Sequence, residues 1–332
     1  MVLLYTILIL SISVFVGCFV LTFFFTHYLV NALRRSGSVV DDFHKLNRPK
    51  VASPGGISIL FSLVVVESML FFFTESVEIL SIILTTAIAG TIGFLDDFLR
   101  FGGKTKPVLL ILASLPILLL ATYSFRPFFP LFGGVRLPLI YPILVLLAIP
   151  IVSNTTNMID VLNGALSGFM AIATIPLVFA LAIKGEYIIM ISALPIIASS
   201  IAFYFFHKFP SKIFPGDTGS LTLGAIFCSI AIVGGVEIVG IVALLPAILN
   251  SFFVLSSVKK FIEHRLIKNR PTVLLEDGRL AASKESSAPA TLVRMILIDG
   301  PLSEVKVVHN ILKLAAFSAV LAGITALLTW GI

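Results

Sequence analysis

An all-α, polytopic membrane protein is the fold class this chain predicts, and three observations carry the prediction. Of its 332 residues, 58% are hydrophobic and only 12% charged, against about 45–50% and about 25% in a soluble domain. Mean hydropathy is +1.11. The apolar residues come in runs near the roughly 20 that a spanning helix needs, not in the ten or so alternating residues of a membrane strand. So little charge cannot cover a water-exposed surface of this size. That excludes a disordered chain, a nucleic-acid-binding module and a soluble two-domain enzyme. One integral membrane domain over residues 1–332 is expected.

Ten apolar segments follow in order, at roughly 3–26, 55–73, 79–95, 107–124, 138–152, 164–183, 187–206, 218–234, 237–257 and 305–330. The first reads as a span rather than a signal peptide. No basic residue precedes its apolar run, the run is too long, and no small-x-small cleavage site follows. Cys18 and Cys228 lie inside apolar runs and read as small buried residues.

The segments alternate with loops of unequal charge. The loop after span 1 holds five Lys or Arg residues, that after span 3 three, that after span 7 two and that after span 9 nine. The opposite loops hold Arg126, Arg136 and Lys184. Positive charge marks cytoplasmic loops. The loops after spans 1, 3, 5, 7 and 9 are therefore expected in the cytoplasm and both termini outside. The one long loop, 258–304, contains Asp277-Gly278 between apolar runs, which predicts a small β-hairpin on the cytoplasmic face.

Five groups of polar residues sit at the inner ends of these segments. Gly93-Phe-Leu-Asp96-Asp97 ends span 3. Two adjacent carboxylates repel, and a divalent cation would relieve them; a solvated helix end explains the pair as simply. Asn154, Asn157, Asp160 and Asn163 recur every third residue at the end of span 5. On an α-helix that spacing drifts by about 60° per step, so all four line one broad face. Such a row in an apolar chain suits a polar ligand better than capping does. Phe214-Pro-Gly216-Asp217-Thr218-Gly-Ser220 precedes span 8, where Asp217 or Thr218 could also serve as a helix cap. His264, Arg265, Lys268 and Arg270 form a basic loop able to clamp phosphate or to anchor on anionic lipid. Arg48-Pro-Lys50, followed by Gly55-Gly56, could cradle phosphate or make an ordinary membrane-edge turn. Carboxylates for Mg²⁺, cations for phosphate and an amide row for a polar ligand, all on one side, point to phosphoryl transfer at the membrane surface.

GFLDDF, NTTNMIDVLNG and FPGDTGSLTLG resemble the three signatures of the polyprenyl-phosphate N-acetylhexosamine-1-phosphate transferases, a glycosyltransferase 4 family. RPKVASPGG resembles that family's first cytoplasmic loop. The likeness runs from about residue 40 to the last span. The loop with RPTVLLEDGRL resembles that of the archaeal and eukaryotic UDP-N-acetylglucosamine–dolichyl-phosphate enzymes. The bacterial MurNAc-pentapeptide enzymes carry a histidine-rich motif there, whereas this loop has only His264.

The resemblance implies the reaction. A polyprenyl or dolichyl-type phosphate attacks the β-phosphorus of UDP-N-acetylglucosamine, giving the lipid diphosphosugar and UMP. Another UDP-N-acetylhexosamine or an undecaprenyl acceptor is the alternative. It further implies Asp96 and Asp97 as the acidic pair, with Lys106 on the lipid phosphate. Asn157 and Asp217 would hold Mg²⁺, with Mn²⁺ as a substitute. Asn154, Asp160 and Asn163 would line the nucleotide site. Lys50, His264, Arg265, Lys268 and Arg270 would grip the diphosphate or sugar. Membrane lipids are implied partners, nucleic acid is not, and relatives imply a homodimer. A secondary transporter would instead place its polar residues near mid-membrane. A CDP-alcohol phosphotransferase would show its own multi-aspartate helix.

Overall fold

The computed structural model describes residues 2–258 and 270–331. The chain opens with α1 (Val2–Ser36), a hairpin of β1 (Val39–Asp41) and β2 (Lys50–Ala52), then α2 (Gly56–Thr74) and α3 (Val77–Leu99). A broken segment follows: α4 (Thr105–Leu110), a 3₁₀ turn (Ile111–Ser114) and α5 (Leu115–Leu119). After the short pair β3 (Phe128–Phe129) and β4 (Gly133–Gly134) come α6 (Tyr141–Ile159), α7 (Ala165–Lys184), α8 (Tyr187–His207) and α9 (Gly216–Val233). The chain ends with α10 (Glu237–Ala243), α11 (Leu245–Val258), the hairpin β5 (Thr272–Leu274) and β6 (Leu280–Ala282), α12 (Leu292–Ile296) and α13 (Glu304–Trp330).

Eight of these helices, α1 to α3, α6 to α9 and α13, are long and apolar enough to cross a membrane among the described residues. This is an integral membrane protein of helices, as expected, but not of ten straight spans. The ninth expected span is the pair α10–α11, bent by 68°. Pro246 explains the bend: it has no N–H to return to the carbonyl of Val242. The Ser318 hydroxyl of α13 bonds that freed carbonyl at 2.5 Å. The fourth expected span is Thr105–Leu119. At about 1.5 Å per residue it falls well short of the roughly 30 Å hydrocarbon core, and its 3₁₀ centre and Pro116 interrupt it. Pro150 inside α6 likewise frees the carbonyl of Leu146, which Ser114 bonds at 3.0 Å.

At the centre stands α9, whose residues Thr218 to Ile232 are all buried. An apolar helix without a polar face belongs inside a bundle. It packs against α3, α6, α2 and α8, while α1, α7, α8 and α13 form the other half of the bundle. The expected hairpin is present: Thr272 pairs with Ala282 and Leu274 with Leu280, closing around Glu276 and Asp277. The β1–β2 hairpin, with Val39 opposite Ala52, was not legible from the sequence. The C-terminal ends of α3, α6 and α8 and the starts of α4, α9 and α13 meet at one end of the bundle.

Candidate active site

The last turn of α3 meets the first turn of α9. Asp97 accepts hydrogen bonds from the backbone N–H of Asp217 at 2.8 Å and of Thr218 at 2.9 Å, and from the Thr218 hydroxyl at 2.5 Å. The first N–H groups of a helix have no partner within it, and Pro215, the residue before α9, supplies no side-chain cap. A carboxylate from another helix therefore caps α9, which also suits the positive end of its dipole. Two glycines allow this approach. A Cβ on Gly93 would stand 2.5 Å from the Asp217 carbonyl, and one on Gly216 would stand 2.7 and 2.9 Å from the two Asp97 oxygens.

Asp96 turns the other way. It accepts from the Phe101 N–H at 2.5 Å and lies 2.5 Å from Lys106 Nζ, which is also 3.0 Å from Asp217. One ammonium thus bridges two carboxylates from two motifs. Burial works against the charge of Lys106, but Asp217 and Asp96 outweigh it and hold its pKa above the ordinary lysine value. On α6, Asn157 Oδ1 accepts from the Ser220 hydroxyl of α9 at 2.8 Å. Asp160 follows as the C-cap of α6. Its carboxyl is held well above the usual range, first by burial and then by Asp217 and Asp97. The glycine-bearing turn joins through backbone: Gly55 N–H to Phe214 O at 2.7 Å, Gly56 N–H to Pro215 O at 2.8 Å, and Phe214 N–H to Ala52 O at 2.9 Å.

Four carboxylates, Asp96, Asp97, Asp160 and Asp217, therefore gather in a poorly solvated place where one ammonium, that of Lys106, pairs with only two of them, so the site attracts further cations. Among the described residues, no three His, Cys, Asp or Glu side chains make a metal cage unaided. The Asp217 carboxylate and Asn157 amide are hard oxygen donors. They fit Mg²⁺, which takes one or two carboxylates and completes its shell with water and substrate phosphate.

The row of four does not stay on one helix. α6 ends at Ile159, so only Asn154 and Asn157 share it. Asn154 bonds back to the Pro150 carbonyl at 2.7 Å. Asn163 is buried in the turn beyond, where its amide donates to Asp42 at 3.1 Å and its N–H to Glu304 at 2.9 Å. Lys45 joins those two carboxylates, ion-paired with Glu304 and 3.3 Å from Asp42. Lys50 is exposed on β2. Arg270 does not join the carboxylates: it lies 4.6 Å over the Phe43 ring, with Arg48 at 5.6 Å, in a cavity of about 450 Å³ that Lys45 also lines. His264, Arg265 and Lys268 lie outside the described residues.

Sequence reasoning missed Ser220, His207, Asp42, Lys45 and Glu304. Ser220 stood inside a quoted motif and could have been found there. His207, Asp42 and Glu304 lie far along the chain from the site residues they hold, and Lys45, though three residues from Asp42, is far along it from Glu304.

The profile of glycosyl transferase family 4 matches residues 79–235, the stretch that carries all three motifs. A protein of Methanocaldococcus jannaschii named as a candidate glycosyltransferase is 32% identical over 72% of this chain and 72% of its own length. A Sulfolobus acidocaldarius protein is 31% identical over 67% of this chain and 70% of its own. One from Saccharolobus solfataricus is 26% identical over 92% and 93%. Both are named as candidate UDP-N-acetylglucosamine–dolichyl-phosphate N-acetylglucosaminephosphotransferases. Matched in its motifs and along most of its length, the chain belongs to glycosyl transferase family 4.

Proposed function

We propose that the protein transfers N-acetylglucosamine-1-phosphate from UDP-N-acetylglucosamine to a polyprenyl phosphate of the dolichyl type. The observation that carries this reading is the convergence of Asp96, Asp97, Asn157, Asp160, Asp217 and Lys106 at one end of a helical bundle. There a lipid headgroup and a water-soluble nucleotide can meet. The names of the Sulfolobus and Saccharolobus relatives support the choice of donor and acceptor. The basic loops at the same end support a cytoplasmic site with both termini outside.

An oxygen of the lipid phosphate forms a bond to the β-phosphorus. The bond from that phosphorus to the bridging oxygen breaks, and UMP leaves with the electron pair. Two anions must approach, so fixed positive charge is the largest need. Lys106, held between Asp96 and Asp217, presents its ammonium to the lipid phosphate. Asp97 keeps Asp217 in place by capping α9, and Ser220 orients the amide of Asn157. Asp160 lines the donor side. When bound by Asp217 and Asn157, Mg²⁺ would neutralise phosphate oxygens.

The test uses the purified full chain with polyprenyl phosphate and a panel of UDP-sugars. UDP-N-acetylglucosamine should give a lipid product and UMP, chelation should abolish transfer, and Mg²⁺ should restore it. Transfer from a different UDP-sugar alone would replace the donor. Full activity after thorough chelation would remove the metal from the account.

A further inference from the structure

His207 closes α8 with its side chain only 1% exposed. Its ring lies near those of Phe203 and Phe214, with centroids 5.6 and 6.4 Å away. Each nitrogen faces one polar partner. Nδ1 is 3.0 Å from the hydroxyl of Ser167 on α7, and Nε2 is 3.6 Å from Asp160 Oδ1. No other hydrogen bond or ion pair reaches the Asp160 carboxyl among the described residues.

We propose that His207 is a positioning residue for Asp160, holding that carboxyl toward the sugar-nucleotide donor; this rests on the donor reading above. A Ser167 hydroxyl that donates to Nδ1 leaves the ring proton on Nε2, aimed at Asp160. The opposite tautomer would set a lone pair against the ionised carboxylate. The 3.6 Å separation exceeds a hydrogen bond by a few tenths of an ångström. Such bonds often tighten only when substrate binds. Ser167, His207 and Asp160 thus form a chain from α7 through α8 to the end of α6. Among the described residues, it fixes the one site carboxyl that no backbone donor or lysine reaches.

Steady-state kinetics on the purified full chain test this. His207→Ala should raise the KM for UDP-N-acetylglucosamine about tenfold or more and leave the KM for polyprenyl phosphate unchanged. Ser167→Ala, which keeps the imidazole but frees its tautomer, should raise the donor KM roughly three- to tenfold with kcat held. His207→Gln, which returns an N–H donor, should recover much of the loss. Asp160→Asn combined with His207→Ala should be no worse than Asp160→Asn alone, because two residues acting as a unit are not additive. An unchanged donor KM in a His207→Ala protein of normal thermal stability would overturn the proposal, as would additive losses. If His207→Ala does not fold, Ser167→Ala decides: an unchanged donor KM there overturns it equally. A wild-type chain that transfers from no UDP-sugar would show instead that the donor reading has failed, before any variant is made.

Discussion

Asp97 and Asp217 stand 120 positions apart, yet one caps the helix that carries the other. The position of Asp217 thus depends on Asp97, and Lys106 ties Asp217 to Asp96. Asp217→Asn should lower the transfer rate about 10²-fold or more, a few kcal/mol of transition-state stabilisation. Glu237→Gln should have far less effect, since Glu237 bonds Tyr141 at the other end of the bundle. Initial rates at equal expression compare them, and similar rates would argue against the site.

Asp160 makes a second prediction, on stability. Its folded-state pKa is raised by burial and by Asp217 and Asp97, above an unfolded value of about 3.9. The ionised form therefore destabilises the fold. That cost is absent below the unfolded pKa and grows as pH rises toward the folded one. Asp160→Asn should melt higher than wild type at pH 7, lose that advantage near pH 4, and be impaired in transfer. A variant that melts lower than wild type at pH 7 would contradict this.

Among the elements, the contact of α3 with α9 sets the geometry of the site. Gly93→Ala would drive a methyl group into the Asp217 backbone, where backbone cannot yield as a flexible side chain would. Overpacking of this kind costs about 1–3 kcal/mol. We expect a lower melting temperature and a larger loss of activity than Gly17→Ala produces on α1, where a Cβ meets nothing within 4 Å. Equal effects would show that this contact does not set the geometry. The sequence was informative about apolar segments because each helix buries or exposes its own residues to lipid. It was not informative about how α4–α5 and α10–α11 break. Pro246 and Pro150 were visible, but the hydroxyls that satisfy the carbonyls they free, Ser318 and Ser114, come from other helices. The motif residues Asp96, Asp97, Asn157 and Asp217 were legible because their chemistry is costly in an apolar chain. Asn163 was legible as a polar residue but not as one that ties Asp42 and Glu304 together, because those partners are 121 and 141 residues away.

For the whole molecule, the account requires the site end to face the cytoplasm. A topology probe checks it with single cysteines replacing Ser286, exposed near the site-end hairpin, and Ser124, exposed at the far end, in a background without Cys18 and Cys228. An impermeant maleimide added to intact cells should label position 124 and spare 286; the reverse would cut the site off from a cytosolic donor. The central claim is that this bundle moves a sugar together with one phosphate. Its most direct measurement uses UDP-N-acetylglucosamine labelled with ³²P at the β-phosphorus, polyprenyl phosphate and the purified chain. The account predicts label in the lipid extract with unlabelled UMP released, and loss of both with Asp217→Asn. Label retained in released UDP, with sugar alone on the lipid, would contradict it.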